Sequence, residues 1–420
     1  MGRFLRRSPS KATVAFFLMG TLNNLTFVVN AAGASELLPG QVALVYIINS
    51  SPELLVKGTA PLWWHWSSYG SKIAFAGFCF ATNLVLVSSG LQLAASIQLV
   101  GVALSNIGGG LGEATMLAYS QLASDPATCI SAWSSGTGAA GVLGYLISMF
   151  VLPQLGPPGR LVLATVIVAS FLGVFFGMLH AERNKAAPYG QGARLLSSEH
   201  EHGSVEGGAD SSGGWCSQTD AVGGSSPPSD PQARSVLGLV IKYVLPLVLI
   251  YWAEYAMQSG AWTAFALPAA ALASDHARTR AYQALNLAYQ AGVLTSRSSG
   301  KLCTLSLSTL WLLAVLQCVL LALFIADGAA QQWTGASLSA PAFLVGLLGG
   351  TSYVQTCLAI DRAKDLNRRS RELALAAISV GAPIGIVLAD FTGLVIQSCL
   401  MQAHHLHIDG GARWCPARLP

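Results

Sequence analysis

Eleven apolar runs long enough to cross a bilayer, interrupted once by a long polar stretch, leave this chain few ways to fold. A helical span needs about 20 predominantly apolar residues. Such runs lie near residues 12–33, 40–63, 73–90, 94–121, 129–153, 160–181, 236–258, 279–299, 303–326, 338–360 and 373–400. Inside a membrane every backbone polar group must be satisfied within the protein, and runs this long specify helices. Composition agrees. Charged residues make up 10% of 420 positions and hydrophobic ones 53%, where a soluble domain carries about 25% charged; mean hydropathy is +0.53. The expected fold class is an all-α integral membrane protein with about eleven transmembrane helices.

The polar stretch, residues 183–235, is rich in Gly, Ser, Asp, Glu and Pro and has no aliphatic run. Such a segment cannot bury a core and is expected to be a disordered cytoplasmic linker. It divides a six-helix bundle, residues 1–182, from a five-helix bundle, residues 236–402, which a short tail follows at 403–420. The stretch 262–274 is a candidate for a re-entrant half-helix, which the sequence leaves open. Arg3, Arg6, Arg7 and Lys11 precede the first run, which is too long for a signal-peptide core and reads as an uncleaved span. With a cytoplasmic N-terminus, sixteen lysines and arginines fall on the cytoplasmic side and five on the other, the bias of the positive-inside rule. The tail then lies on the luminal side. The eight cysteines form no CxxC pair and read as small buried hydrophobes, with no disulfide framework.

The two halves share a pattern. Span four carries Gly108–Gly110 and Gly112, and span ten carries Gly349-Gly350; span five has Ser134–Gly138 and span eleven Ser379–Pro383. Small-residue clusters recurring six spans apart suggest two pseudo-repeated bundles, as in solute transporters. Charged groups inside spans are costly, about 2.5–3.5 kcal/mol each on insertion scales. Glu53 and Lys57 lie four residues apart on one face of span two, where they can neutralise each other. Glu113 follows the glycines of span four, Glu254 lies between Tyr251 and Tyr255 in span seven, and Asp390 lies in span eleven. Span eight carries Gln283, Asn286, Gln290 and Arg297 along one helical face, with Tyr282 and Tyr289 beside it. No cofactor or metal site is assigned, nucleic acid is not an expected partner, and no hydrolase, metalloprotease or nucleotide-loop motif occurs.

Several of these patches resemble the battenin family of lysosomal and vacuolar multi-span proteins. They are Gly20–Asn24, Gly110–Glu113, Trp133–Gly138 with Gly141, Tyr251–Tyr255 with Gly260, Tyr289–Val293 with Ser296–Ser299, and Gly349-Gly350 with Tyr353-Val354. The resemblance implies a major-facilitator-like fold in a lysosomal or vacuolar membrane. It also implies a part in organelle pH homeostasis and transport of small solutes, basic amino acids or glycerophosphodiesters. There are departures: the tail ending Cys415–Pro420 is not a prenylation box.

The expected function is a secondary transporter whose pathway residues are Glu113, Glu254, Arg297, Gln290, Tyr289, Asn286, Lys57 and Glu53. Glu113 and Glu254 are expected to couple protons or substrate, and Arg297 to gate or meet an anionic group. Expected partners are membrane lipid, a small solute and protons, with trafficking proteins on the 183–235 linker. The alternatives are a non-transporting membrane scaffold and a nucleoside or sugar carrier of the same architecture.

Overall fold

The computed structural model describes residues 10–38, 41–88, 93–120, 122–180, 238, 240–264, 275–298, 305–330, 332–333, 335–362, 368–404 and 414–416. Among them lie eleven long helical segments, six before the linker region and five after it. The first bundle comprises α1 (Lys11–Ala32), α2 (Val42–Trp63), α3 (Tyr69–Asn83), α4 (Ala95–Ser120), α5 (Pro126–Leu146) and α6 (Pro157–Gly173). The second comprises α7 (Leu245–Ala256), α8 (Asp275–Ser298), α9 (Leu307–Ala330), α10 (Gly335–Arg362) and α11 (Arg368–Ala403). Each overlaps an apolar run read from the sequence. The linker 183–235, residues 265–274 of the candidate half-helix, and His405 and His407 of the tail lie outside the described residues.

Local signals explain where helices start. Ser10 caps α1 through Thr13 N, Ser68 caps α3 through Ser71 N, and Asp125 caps α5 through Thr128 N with proline following it. Eight helices are long and apolar enough by composition to cross a bilayer. The other three, α2, α7 and α8, fall short for visible reasons. α2 carries Glu53 and Lys57, and α8 carries the polar lane. α7 is flanked by wide π-type turns at Val240–Val244 and Met257–Ala261. The first of these precedes Pro246, whose missing N–H interrupts the regular ladder.

Glycine sets the closest crossings. A Cβ at Gly20 of α1 would overlap the Trp133 carbonyl of α5, and one at Gly136 of α5 would overlap the Phe17 carbonyl of α1. The second bundle repeats this reciprocity between Gly292 of α8 and Gly346 of α10. Without a side chain the backbones approach to van der Waals contact, which is the main attraction available between helices in lipid. Large apolar side chains such as Phe75, Phe78, Val162, Leu312 and Phe391 point outward, where lipid covers them.

The bundles meet along two seams, α5 against α8 and α2 against α11. Near the ends where α1 finishes and α2 begins, the seams are sealed by hydrogen bonds. Gln283 Nε2 donates to Ala32 O at 3.0 Å, Ser35 Oγ to Thr279 Oγ1 at 3.2 Å, and Ala43 N to Gln397 Oε1 at 3.1 Å. The Tyr46 and Tyr282 hydroxyls meet at 2.7 Å.

The cysteine reading needs one correction. Cys399 and Cys415 form a disulfide, with Cα atoms 4.9 Å apart. Sixteen residues of separation carry no signal for it, because α11 must end and the chain double back before the two thiols meet. Cys79, Cys129, Cys318 and Cys357 remain thiols.

Candidate functional site

A cavity of ≈ 90 Å³ lies between the bundles, beyond the sealed end. Its walls carry opposed charge. On the first bundle, α2 brings Glu53 and Lys57 one turn apart, and α4 brings Glu113 across from them. Gly110 of α4 packs on the Glu53 stem, and this close approach lets Glu113 reach the lysine. Lys57 Nζ donates to Glu53 Oε1 at 2.5 Å and to Glu113 Oε2 at 3.0 Å. The lysine is 5% exposed and the two carboxylates 19% and 18%, so this wall has one carboxylate in excess of its ammonium.

The second bundle answers with a guanidinium. Arg297 of α8 lies with its Cζ 5.2 Å from the Tyr353 ring centre, and Nη2 donates to the Tyr251 hydroxyl at 3.4 Å. Nη1 reaches across to the Thr137 hydroxyl of α5, while Nε meets no acceptor among the described residues. A half-buried guanidinium that lines the cavity and lies over an aromatic ring is suited to bind an anion. Tyr251, Tyr255, Pro383 and Ile386 also line this wall.

Three asparagines, Asn23, Asn24 and Asn106, add to the polar lining. Asn23 Nδ2 donates to Gly109 O at 3.0 Å, and Asn24 Nδ2 to Gly20 O at 3.2 Å. Asn106 donates to Asn49 Oδ1, joining the cavity to a buried chain in which Asn83 bonds Asn30 and Asn30 bonds Ser105. Asn106 escaped the sequence reading. Its only signal was a polar residue within an apolar run, a turn before the span-four glycines.

Four of the eight expected pathway residues therefore share the cavity: Glu53, Lys57, Glu113 and Arg297. The other four stand behind it. Glu254 is 3% exposed inside the second bundle, where Oε1 accepts from the Tyr289 hydroxyl, and Oε2 lies against Gly349 with no donor among the described residues. Asn286 Nδ2 donates to Tyr282 O at 3.0 Å, and Gln290 packs on Gly141 of α5. The polar lane of α8 thus faces α1, α5 and its own bundle. Lys72 Nζ donates to Trp64 O and Ser67 O at 2.7 and 2.6 Å. His404 bonds Gly328 O at 2.6 Å.

The eleven-helix, two-bundle arrangement is the major-facilitator-like fold of membrane transporters. A POT family transporter solved with a thioalcohol-conjugated peptide superposes with a TM-score of 0.58, at 10% identity, over 93% of this chain and 91% of that one. A D-xylose–proton symporter matches at 0.50 and 9% identity over 96% and 98%. A bacterial homologue of the human lysosomal transporter Spinster, inward-facing, matches at 0.50 and 14% over 94% and 84%. These likenesses are of fold alone.

Sequence kinship is narrower. The chain belongs to the CLN3 protein family, whose model matches residues 14–403. It is 30% identical to battenin of Canis lupus familiaris, over 93% of this chain and 91% of that protein. To protein BTN1 of Eremothecium gossypii it is 29% identical, over 95% and 97%.

Proposed function

We propose that this chain is a secondary transporter of a lysosomal or vacuolar membrane, carrying a small solute that bears both a cationic and an anionic group. The observation that carries the reading is the charge opposition across the cavity. The excess carboxylate of Glu53–Lys57–Glu113 faces Arg297 on the other bundle. A basic amino acid fits this polarity, with its carboxylate on Arg297 and its side-chain cation at Glu53 and Glu113. A glycerophosphodiester would place its phosphodiester on Arg297. The sealed end and the cavity beyond it support alternating access, in which the bundles rock about the bound solute. Glu254 and Tyr289 then act behind the wall, holding α7 against α8. Moving a charged solute with protons is how such a protein would contribute to organelle pH.

A membrane scaffold for trafficking factors is the second reading. The cavity counts against it, since a scaffold gains nothing from a guanidinium and an excess of carboxylate lining one buried cavity. In orientation, the reading puts the N-terminus in the cytosol and the sealed end towards the lumen. The Cys399–Cys415 bond supports that placement, because disulfides persist in oxidising compartments.

The test is uptake of labelled arginine, lysine and glycerophosphocholine into proteoliposomes. Saturable uptake of one of them that Arg297→Gln abolishes is the expected result. Folded protein that moves none of the three overturns the proposed solute class.

A further inference from the structure

Asp390 belongs to no part of the cavity wall, yet it sits where the bundles must part. It lies on α11 one helical turn past Ile386 of the wall, in the seam with α2, and is 0% exposed. Its Oδ2 accepts from the Ser50 hydroxyl of α2 at 2.7 Å, so this bond joins one bundle to the other. Its Oδ1 meets no donor among the described residues. The groups facing it are the Ser50 hydroxyl, the Ser259 hydroxyl from the wide turn after α7, and the Tyr282 phenol of α8. None is a cation, and both ion pairs found among the described residues are made by Lys57, in the cavity.

An ionised carboxylate enclosed without a countercharge is strongly unfavourable. When the seam parts, water reaches the group and removes that penalty. Closure of this end must therefore bring a cation with it. We propose that Asp390 is the coupling-cation site of this protein and that the cation is a proton. An O–H bond forms at Oδ1 as hydronium on the sealed side gives up a proton and leaves as water; the seam closes over the neutral acid. A metal ion would need several converging oxygens, whereas here two hydroxyls approach a side chain with no accessible surface. The other bonds of the seal join neutral groups, Gln283 to Ala32, Ala43 to Gln397 and Tyr46 to Tyr282, so Asp390 makes closure depend on charge.

The inference rests on the transporter reading, and the experiment separates the two. Spin labels at Glu36 and Ala403, both exposed at the sealed end, report the distance across the seam in full-length protein in nanodiscs. The unpaired cysteines are changed to alanine, and pH is varied from 5 to 8. The expected result is a single short distance at low pH, with a longer population whose ratio to it grows by up to tenfold per pH unit as one proton is released. Asp390→Asn should keep the short distance at every pH. Ser50→Ala should retain the response with a shifted midpoint, which shows that the seam still works. A pH response in Asp390→Asn equal to the parent's overturns the assignment and passes it to another titratable group of that end, His404 or Asp327. A distance that follows sodium at fixed pH, and ignores pH, overturns the choice of proton. One unchanging distance under all conditions, with or without added lysine, refutes rocking itself and the transport reading with it.

Discussion

Lys57 of α2 donates to Glu113 of α4 at 3.0 Å, so the ammonium that helical spacing pairs with Glu53 is shared between two carboxylates. This changes what each substitution should do. Removing Glu53 leaves a neutral Lys57–Glu113 pair, and removing Glu113 leaves the Glu53 pair. Removing the lysine leaves two carboxylates facing each other near a small cavity.

Glu53→Gln and Glu113→Gln should therefore each cost less than about 1 kcal/mol, while Lys57→Met should cost roughly 2 kcal/mol. That is below the 3–5 typical of a fully buried broken pair, because the cavity hydrates the carboxylates. Thermal unfolding of purified protein in detergent measures the order. Equal losses for Glu53→Gln and Lys57→Met would show that Glu113 does not share the charge.

Glu254→Gln should fold and keep its pH dependence of flux, since the amide oxygen can still accept from Tyr289. Glu254→Ala deletes that acceptor and opens a gap beside Gly349, for an expected loss of about 2–4 kcal/mol. Flux in proteoliposomes across a range of pH is the measurement. A flattened pH profile in Glu254→Gln would return the coupling role to this residue.

The helix crossings predict a contrast among glycines. Gly20→Ala and Gly292→Ala each drive a methyl into a backbone carbonyl of the facing helix, which cannot rotate away. Each should lower stability by about 1–3 kcal/mol. Gly58→Ala meets nothing within 4 Å and should be neutral or slightly stabilising. Melting curves of the three variants side by side decide it.

Orientation can be read chemically. A glycosylation acceptor inserted near Gly213 should stay unmodified if that segment is cytosolic, and modification there would reverse the topology. In the same preparations, Cys399 and Cys415 should resist a thiol reagent until a reductant is added.

The all-helical membrane fold and the family were legible in the chain, because lipid demands long apolar runs and leaves few alternatives. Buried charge was legible for the same reason: Glu53, Lys57, Glu113 and Arg297 stood out against an apolar background. Their grouping was not. Helical periodicity relates residues three and four apart, so it found Glu53–Lys57 and was blind to Glu113, 56 residues further on. Burial of charge alone put Glu254 and Arg297 in one pathway, although one faces its own bundle and the other the cavity. Asp390 shows the limit most plainly. The sequence marks it as an acid inside a span, but its partner Ser50 lies 340 residues away on the opposite bundle. Local composition determines that a segment enters the membrane; only the packing of the two bundles decides which buried groups meet, because those contacts depend on helix rotation and register that no single segment encodes.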